Sequence, residues 1–196
     1  MSEQTISVLM CGVGGQGILL ASEITARAAL LAGYDVKTNE VHGMAQRGGS
    51  VVACLRFGGK VYSPVIEPGG ADALLGLEPV EAIRCHHYLK PTGVAAVSTQ
   101  RIIPVTVSSG NAAYPEPEPI LQELFPHLSY LDALGIAQGL GNPRTANLVL
   151  LGALAGMAGH ISRKIWETAI RQCVPEKHLE VNQAAFRKGM AACSRT

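Results

Sequence analysis

Apolar residues run almost without interruption from Ile6 to Met10 and then stop at glycines, the pattern of a strand buried on both faces of a parallel sheet. From Gln16 to Ala32 the period changes to that of a helix. Ile18, Ala21, Ile24, Ala28 and Leu31 fall on one stripe, and Glu23 and Arg27 form an i, i+4 pair outside it. Gly33 supplies a C-terminal stop, and Tyr34 to Thr38 reads as the next strand, so the chain opens β-α-β. Val-rich alternation from Ser50 to Phe57 predicts a further strand, which Gly58-Gly59 is expected to turn into a short hairpin partner at Lys60 to Tyr62. Ala71 to Leu77 (strand), Glu78 to Leu89 (helix) and Gly93 to Val97 (strand) make a second β-α-β pass.

Tyr114-Pro115-Glu116-Pro117-Glu118-Pro119 is stiff and acidic, and reads as an extended surface crossover before the amphipathic stretch Ile120 to Phe125. Asn142-Pro143 is a helix start, Asn as N-cap and Pro in the first turn, for a buried helix running toward Gly159. Two more helices follow, Ser162 to Cys173 and Pro175 to about Cys193. Gly152, Ala153, Ala155, Gly156 and Gly159 are small enough for a close helix approach, either within the domain or across a subunit interface. The expectation is one α/β domain spanning residues 1–196, three layers α/β/α, with a Rossmann-like, mostly parallel sheet and C-terminal helices.

Composition narrows the function classes. A formal charge of +1 over 196 residues provides no field to gather nucleic acid or an anionic membrane, so any anion site must be local. The N-terminus has no basic n-region and no apolar run is long enough to span a bilayer, so a cytoplasmic protein is expected. Cys11, Cys54, Cys85, Cys173 and Cys193 are widely spaced, without C-x-x-C, which indicates neither a disulfide framework nor a zinc or iron-sulfur site. In Cys85-His86-His87 the adjacent histidines face different sides of a helix, and no third ligand completes a metal site.

The chemistry concentrates in two glycine-rich loops. Gly12-Val13-Gly14-Gly15-Gln16-Gly17 satisfies G-x-G-x-x-G between a strand and a helix, where glycines let backbone N–H groups and a helix N-terminus approach a phosphate. A dinucleotide site also wants an acid about 20 residues on, at the end of the second strand. That position is Lys37; the nearest acids are Asp35 and Glu40, and Glu40 would serve only if the strand were longer. An NAD(P)-dependent Rossmann oxidoreductase therefore stays open as an alternative, as does a purely structural use of the glycines. The second loop, His42-Gly43-Met44-Ala45-Gln46-Arg47-Gly48-Gly49, sets a guanidinium able to bind phosphate bidentately beside two glycines. His42 has the chemistry of a general acid or base, but a loop hydrogen bond or a substrate contact explains it equally well. Asn147 is suited to a buried backbone group or a partner interface, and Trp166 and Met157 to the core.

Together GVGGQGI, HGMAQRGGSV and the later stretch from Gly141-Asn142 through Asn147 to Gly152 resemble the gamma domain of the 2-oxoacid:ferredoxin oxidoreductases, in the form of their indolepyruvate branch. The resemblance covers most of the chain. It implies a subunit of a complex that decarboxylates a 2-oxoacid, with indolepyruvate or another arylpyruvate as substrate, to the acyl-coenzyme A and carbon dioxide, passing electrons to ferredoxin. No G-D-G with paired asparagines for thiamine diphosphate and no cluster-type cysteine spacing occurs here. The resemblance therefore assigns thiamine diphosphate, magnesium and the 4Fe-4S clusters to a larger partner subunit. It further implies that Gly12, Gly14, Gly15, Gln16, Gly17, His42, Gln46, Arg47, Gly48 and Gly49 face coenzyme A or brace the partner's active-site face, with no catalytic residue of this chain identified. A scaffold subunit that binds no coenzyme A is the remaining alternative.

Overall fold

Strand β1 (Ile6–Val13) is buried along its whole length, and its two faces feed two different cores. Ile6, Val8 and Met10 point into one apolar cluster while Leu9 and Cys11 point into the other, as the two-residue period of a strand requires. A computed structural model describes residues 4–43 and 48–193. In chain order the further elements are α1 (Ile18–Leu31), β2 (Asp35–His42), β3 (Ser50–Gly58), β4 (Ala71–Gly76), α2 (Pro79–Cys85), β5 (Leu89–Ser98), α3 (Val105–Ser108) and α4 (Pro117–Leu124). They continue with β6 (Leu128–Leu131), α5 (Ala133–Gly139), α6 (Ala146–Ala158), α7 (Arg163–Cys173) and α8 (Glu176–Cys193). The sheet order is β2-β3-β1-β4-β5-β6. Helices α1 and α5 to α8 cover the Ile6–Met10 face and α2 with α4 the other, giving the expected three-layer α/β/α arrangement. Among the described residues no helix is long and apolar enough to cross a membrane.

The sheet departs from the expected pattern at β3. β1 pairs in parallel with β4, β4 with β5 and β5 with β6, but β3 runs antiparallel to both β1 and β2 and lies between them. The opening β-α-β unit is therefore split by a returning strand, whereas the second pass, β4-α2-β5, pairs directly. The hairpin at Lys60 to Tyr62 does not form. Both edges of β3 are already occupied by β1 and β2, so no ladder remains for a third partner. Residues 59–70 instead form a loop, in which Asp35 accepts the Val61 N–H at 2.9 Å and Arg56 donates to the Ser63 and Val65 carbonyls at 3.0 and 3.2 Å. The helix expected from Glu78 to Leu89 ends at Cys85; a 3-10 turn at His86–Tyr88 leads into β5. In the proline-rich crossover the helix begins earlier than expected, with Pro117 in its first turn.

Asp35 makes this corner of the sheet pH-sensitive. Its hydrogen bond with Lys37, at 2.8 Å, and the Val61 N–H lower its carboxyl to about 2. A carboxylate whose pKa falls on folding stabilises above its unfolded value and loses that contribution as pH drops through the folded value. The melting temperature should therefore show a component falling between about pH 4 and pH 2, which Asp35→Asn removes; identical acid limbs in both proteins would contradict it.

Small residues in α6 serve intradomain packing. A β-carbon at Gly152 would lie 2.0 Å from the Phe186 carbonyl oxygen, and one at Gly189 would lie 1.8 Å from that of Val149. The two backbones touch, so α6 and α8 pack as one unit behind β4 and β5.

Candidate ligand cleft at the glycine loops

The first loop leaves β1 at Val13 and enters α1 at Ile18. Gly17 is the N-cap, with φ 85° and ψ 29°, a left-handed conformation that carries a β-carbon only under strain. A side chain there would also strike Asn147, whose Nδ2 would be 2.5 Å from the added atom. Gly15, at φ 103°, is exposed with open space around it, which leaves its backbone accessible. Gly12 is buried and lets Gln16 and Leu77 close over the strand end. The Gln16 side chain is fully engaged: its Oε1 accepts from Val13 N at 2.8 Å and its Nε2 donates to the Leu77 carbonyl at 2.8 Å. Gln16 thus sutures the ends of β1 and β4, and its own N–H is turned back on the Val13 carbonyl at 3.2 Å.

This suture lies where α1 departs to one face of the sheet and α2 to the other. In open α/β sheets the crevice at such a switch point, beyond the carboxyl ends of the strands, is where ligands bind. No side chain caps α1 and its first turn contains no acid, so the positive end of the helix meets the cleft uncompensated. Asn147, buried in α6, donates to the Gly17 carbonyl at 3.1 Å and accepts from Leu148 N at 2.9 Å. Asn147 thus satisfies a buried backbone group, the first of the two roles suited to it by sequence.

The two loops meet. Gly14 N donates to the Gly49 carbonyl at 2.9 Å, and Gly43 N to that of Ser50 at 3.0 Å. The Ser50 hydroxyl binds Glu81 of α2 at 2.5 Å, anchoring the second loop to the opposite face of the sheet. Gly48, at φ 76°, reaches the cleft. His42, at the end of β2, is exposed with Nε2 4.0 Å from Glu40 Oε2. Gln46 and Arg47 lie outside the described residues.

Around the first loop the surface opens on two sides. One cleft, of about 1370 Å³ with its mouth, runs from Gly14–Gly17 past Gly48 to Gln100, Ile102 and Arg144. The other, of about 1400 Å³, runs from the same glycines to Leu19, His42 and Gly43. The Gln100 and Ile102 wall belongs to a segment pinned by a buried acid. Glu78, 2% exposed, N-caps α2 through Glu81 N at 2.9 Å and accepts the Tyr114 hydroxyl. Burial, followed by that bond to Glu78, pushes the Tyr114 hydroxyl far above the ordinary tyrosine range. Arg101 and Glu116 close the same segment with a two-pronged pair at 3.2 and 2.8 Å. Cys11, just before the glycine loop, has its thiol raised by its hydrogen bond with Cys85 and by complete burial, which keeps it protonated and unreactive.

Sequence reasoning missed two contributors, Glu78 and Arg144; Glu40 it weighed as a ribose ligand, and the structure places it next to His42, because residues two apart share a strand face. Arg144 follows the predicted Asn142-Pro143 start, but that start is a 3-10 turn, Pro143–Thr145, which turns the arginine toward the cleft before α6 begins.

The geometry weighs against a dinucleotide. β2 does extend to Glu40, but β3 lies between β2 and β1, moving that carboxylate an extra strand spacing of about 4.8 Å from the glycine loop. Lys37 is occupied by Asp35 at 2.8 Å.

Known proteins share this architecture. The chain is 44% identical over 191 residues, 95% of each sequence, to the indolepyruvate oxidoreductase subunit IorB of Thermococcus kodakarensis. It is 30% identical, over 93% of this chain and 96% of the relative, to the pyruvate/ketoisovalerate oxidoreductases common subunit gamma of Pyrococcus abyssi. The crystal structure of the keto/oxoacid ferredoxin oxidoreductase gamma subunit from Geobacter sulfurreducens superposes with a TM-score of 0.73 at 25% identity, covering 97% of this chain and 99% of that one. The model of the pyruvate ferredoxin/flavodoxin oxidoreductase family matches residues 7–192, and with the 44% identical relative it establishes that this protein belongs to that family.

Proposed function

We propose that this chain, as a single gamma-type domain, is the small subunit of a cytoplasmic indolepyruvate:ferredoxin oxidoreductase and binds coenzyme A at its joined glycine loops. The observation that carries the reading is the Gly14 to Gly49 bond, which joins both loops at the crevice beside an uncapped helix N-terminus. Coenzyme A carries a diphosphate and a 3′-phosphate, the groups that glycine nests, helix N-termini and guanidinium forks recognise. The backbone of exposed Gly15 and half-buried Gly17, with Gly48, Gly49 and Arg47, supplies those contacts, while Gly12, Gly14 and Gln16 shape the loop. His42 borders the second opening, with Gln46 beside Arg47 in the same loop. Greater identity to the indolepyruvate relative than to the pyruvate/ketoisovalerate one supports an aryl substrate.

Among the described residues no three His, Cys, Asp or Glu side chains are grouped to hold a metal. The reading assigns thiamine diphosphate, magnesium and 4Fe-4S clusters to a larger partner subunit, where they would supply the decarboxylation, with release of carbon dioxide, and the two-electron transfer to ferredoxin. The task of this subunit is to hold the thiol-bearing acceptor against that face, so that the acyl group leaves as its coenzyme A thioester.

The test is reconstitution with the large subunit, followed by an assay of coenzyme A-dependent ferredoxin reduction with indolepyruvate, pyruvate and a branched 2-oxoacid. The expected results are preference for indolepyruvate and, for Arg47→Ala, a rise in KM for coenzyme A of about tenfold or more with assembly intact. An unchanged KM removes Arg47 from the site; equal or better use of pyruvate removes the aryl assignment.

A further inference from the structure

Arg144 is the cation that the described cleft presents and that the glycine motifs do not account for. It lines the opening shared with Gly14–Gly17, is exposed, and has no carboxylate partner among the described residues. Its backbone is fixed on both sides. Asn142 accepts from Arg144 N at 3.1 Å and from the Thr145 hydroxyl at 2.8 Å, and Thr145 is 1% exposed. Three residues on, Asn147 holds the Gly17 carbonyl at 3.1 Å, so the turn carrying Arg144 is tied to the first residue of the helix N-terminus. Leu20, Leu134 and Leu150 form the apolar side of the same opening.

We infer that Arg144 is a ligand-binding residue that clamps the diphosphate of coenzyme A, drawing it into the Arg144-side cleft rather than the His42-side one. This rests on the coenzyme A reading above. The N–H groups at the start of α1 take one phosphoryl group, and the Arg144 guanidinium, carried on a turn that the Asn147 bond ties to Gly17, takes its neighbour bidentately. A 3′-phosphate lies a ribose away from that pair, too distant to share the helix end. The apolar wall then receives the less polar part of the ligand.

The experiment is calorimetric titration of the assembled two-subunit complex with coenzyme A and with dephospho-coenzyme A, which lacks the 3′-phosphate but keeps the diphosphate. Arg144→Ala should weaken both ligands by the same factor, on the order of 10- to 100-fold, with Arg144→Lys recovering part of the loss. Weakening of coenzyme A alone would move Arg144 to the 3′-phosphate and overturn the diphosphate assignment. Unchanged binding in Arg144→Ala, with a loss in Gly17→Ala, would overturn the role of Arg144 and leave the coenzyme A reading standing. Unchanged binding in both variants would overturn both.

Discussion

Gly189→Val is expected to destabilise the protein by about 3 kcal/mol or more. At about 2–4 °C per kcal/mol for a chain of this size, this is a drop in melting temperature of several degrees at least. A β-carbon at Gly189 would be 1.8 Å from the Val149 carbonyl oxygen and 3.0 Å from Ala153 N, both backbone atoms of α6 that no side-chain rotation can move. The helices must separate, and α6 carries the core residues Leu148, Val149, Leu150, Leu151 and Leu154 with it. Gly139→Ala is the control, because nothing lies within 4 Å of its added methyl group. Thermal unfolding followed by circular dichroism separates the two; equal melting temperatures would contradict direct backbone packing between α6 and α8.

A large loss of binding is expected from Gly17→Ala. The substitution imposes a side chain on a residue at φ 85°, costing about 1–2 kcal/mol, and drives its methyl group against Asn147 Nδ2. Both faults fall on the N-terminus of α1, so affinity for coenzyme A should decrease about 10- to 100-fold. A double variant with Asn147→Ala separates the causes: it relieves the collision but leaves the backbone strain and loses the tie to the Gly17 carbonyl. Affinity should therefore stay low in the double variant. Recovery to the original affinity would mean that the left-handed cap is not what the ligand reads.

Strands buried on both faces were legible from uninterrupted apolar runs, as in β1 and β4, and the long helices from their stripe and their stops. The place of β3 was not. A single strand's pattern records which faces are buried and does not record the direction in which its neighbours run, so an antiparallel return looked like the start of a hairpin. β6 and α5 escaped for local reasons: Leu128–Leu131 is too short to show a period, and Ala133–Gly139 contains two glycines and depends on Asp132, which caps Gly135 N at 2.8 Å. Within the candidate site, the glycine loops announced themselves through spacing. Their connection did not, because the Gly14 to Gly49 bond spans a distance in sequence that only pairing of β1 with β3 brings together. Arg144 was hidden for the same reason, its position relative to Gly17 being set by the long-range Asn147 bond.

The most direct measurement is a titration of the isolated chain and of the two-subunit complex with coenzyme A, with NAD and NADP as controls. Coenzyme A should bind in a manner that requires an intact Gly17 loop, and neither dinucleotide should bind tightly. Firm association of the subunits without any coenzyme A contribution from these loops would reduce the chain to a scaffold, and tight NAD or NADP binding by the chain alone would contradict the account outright.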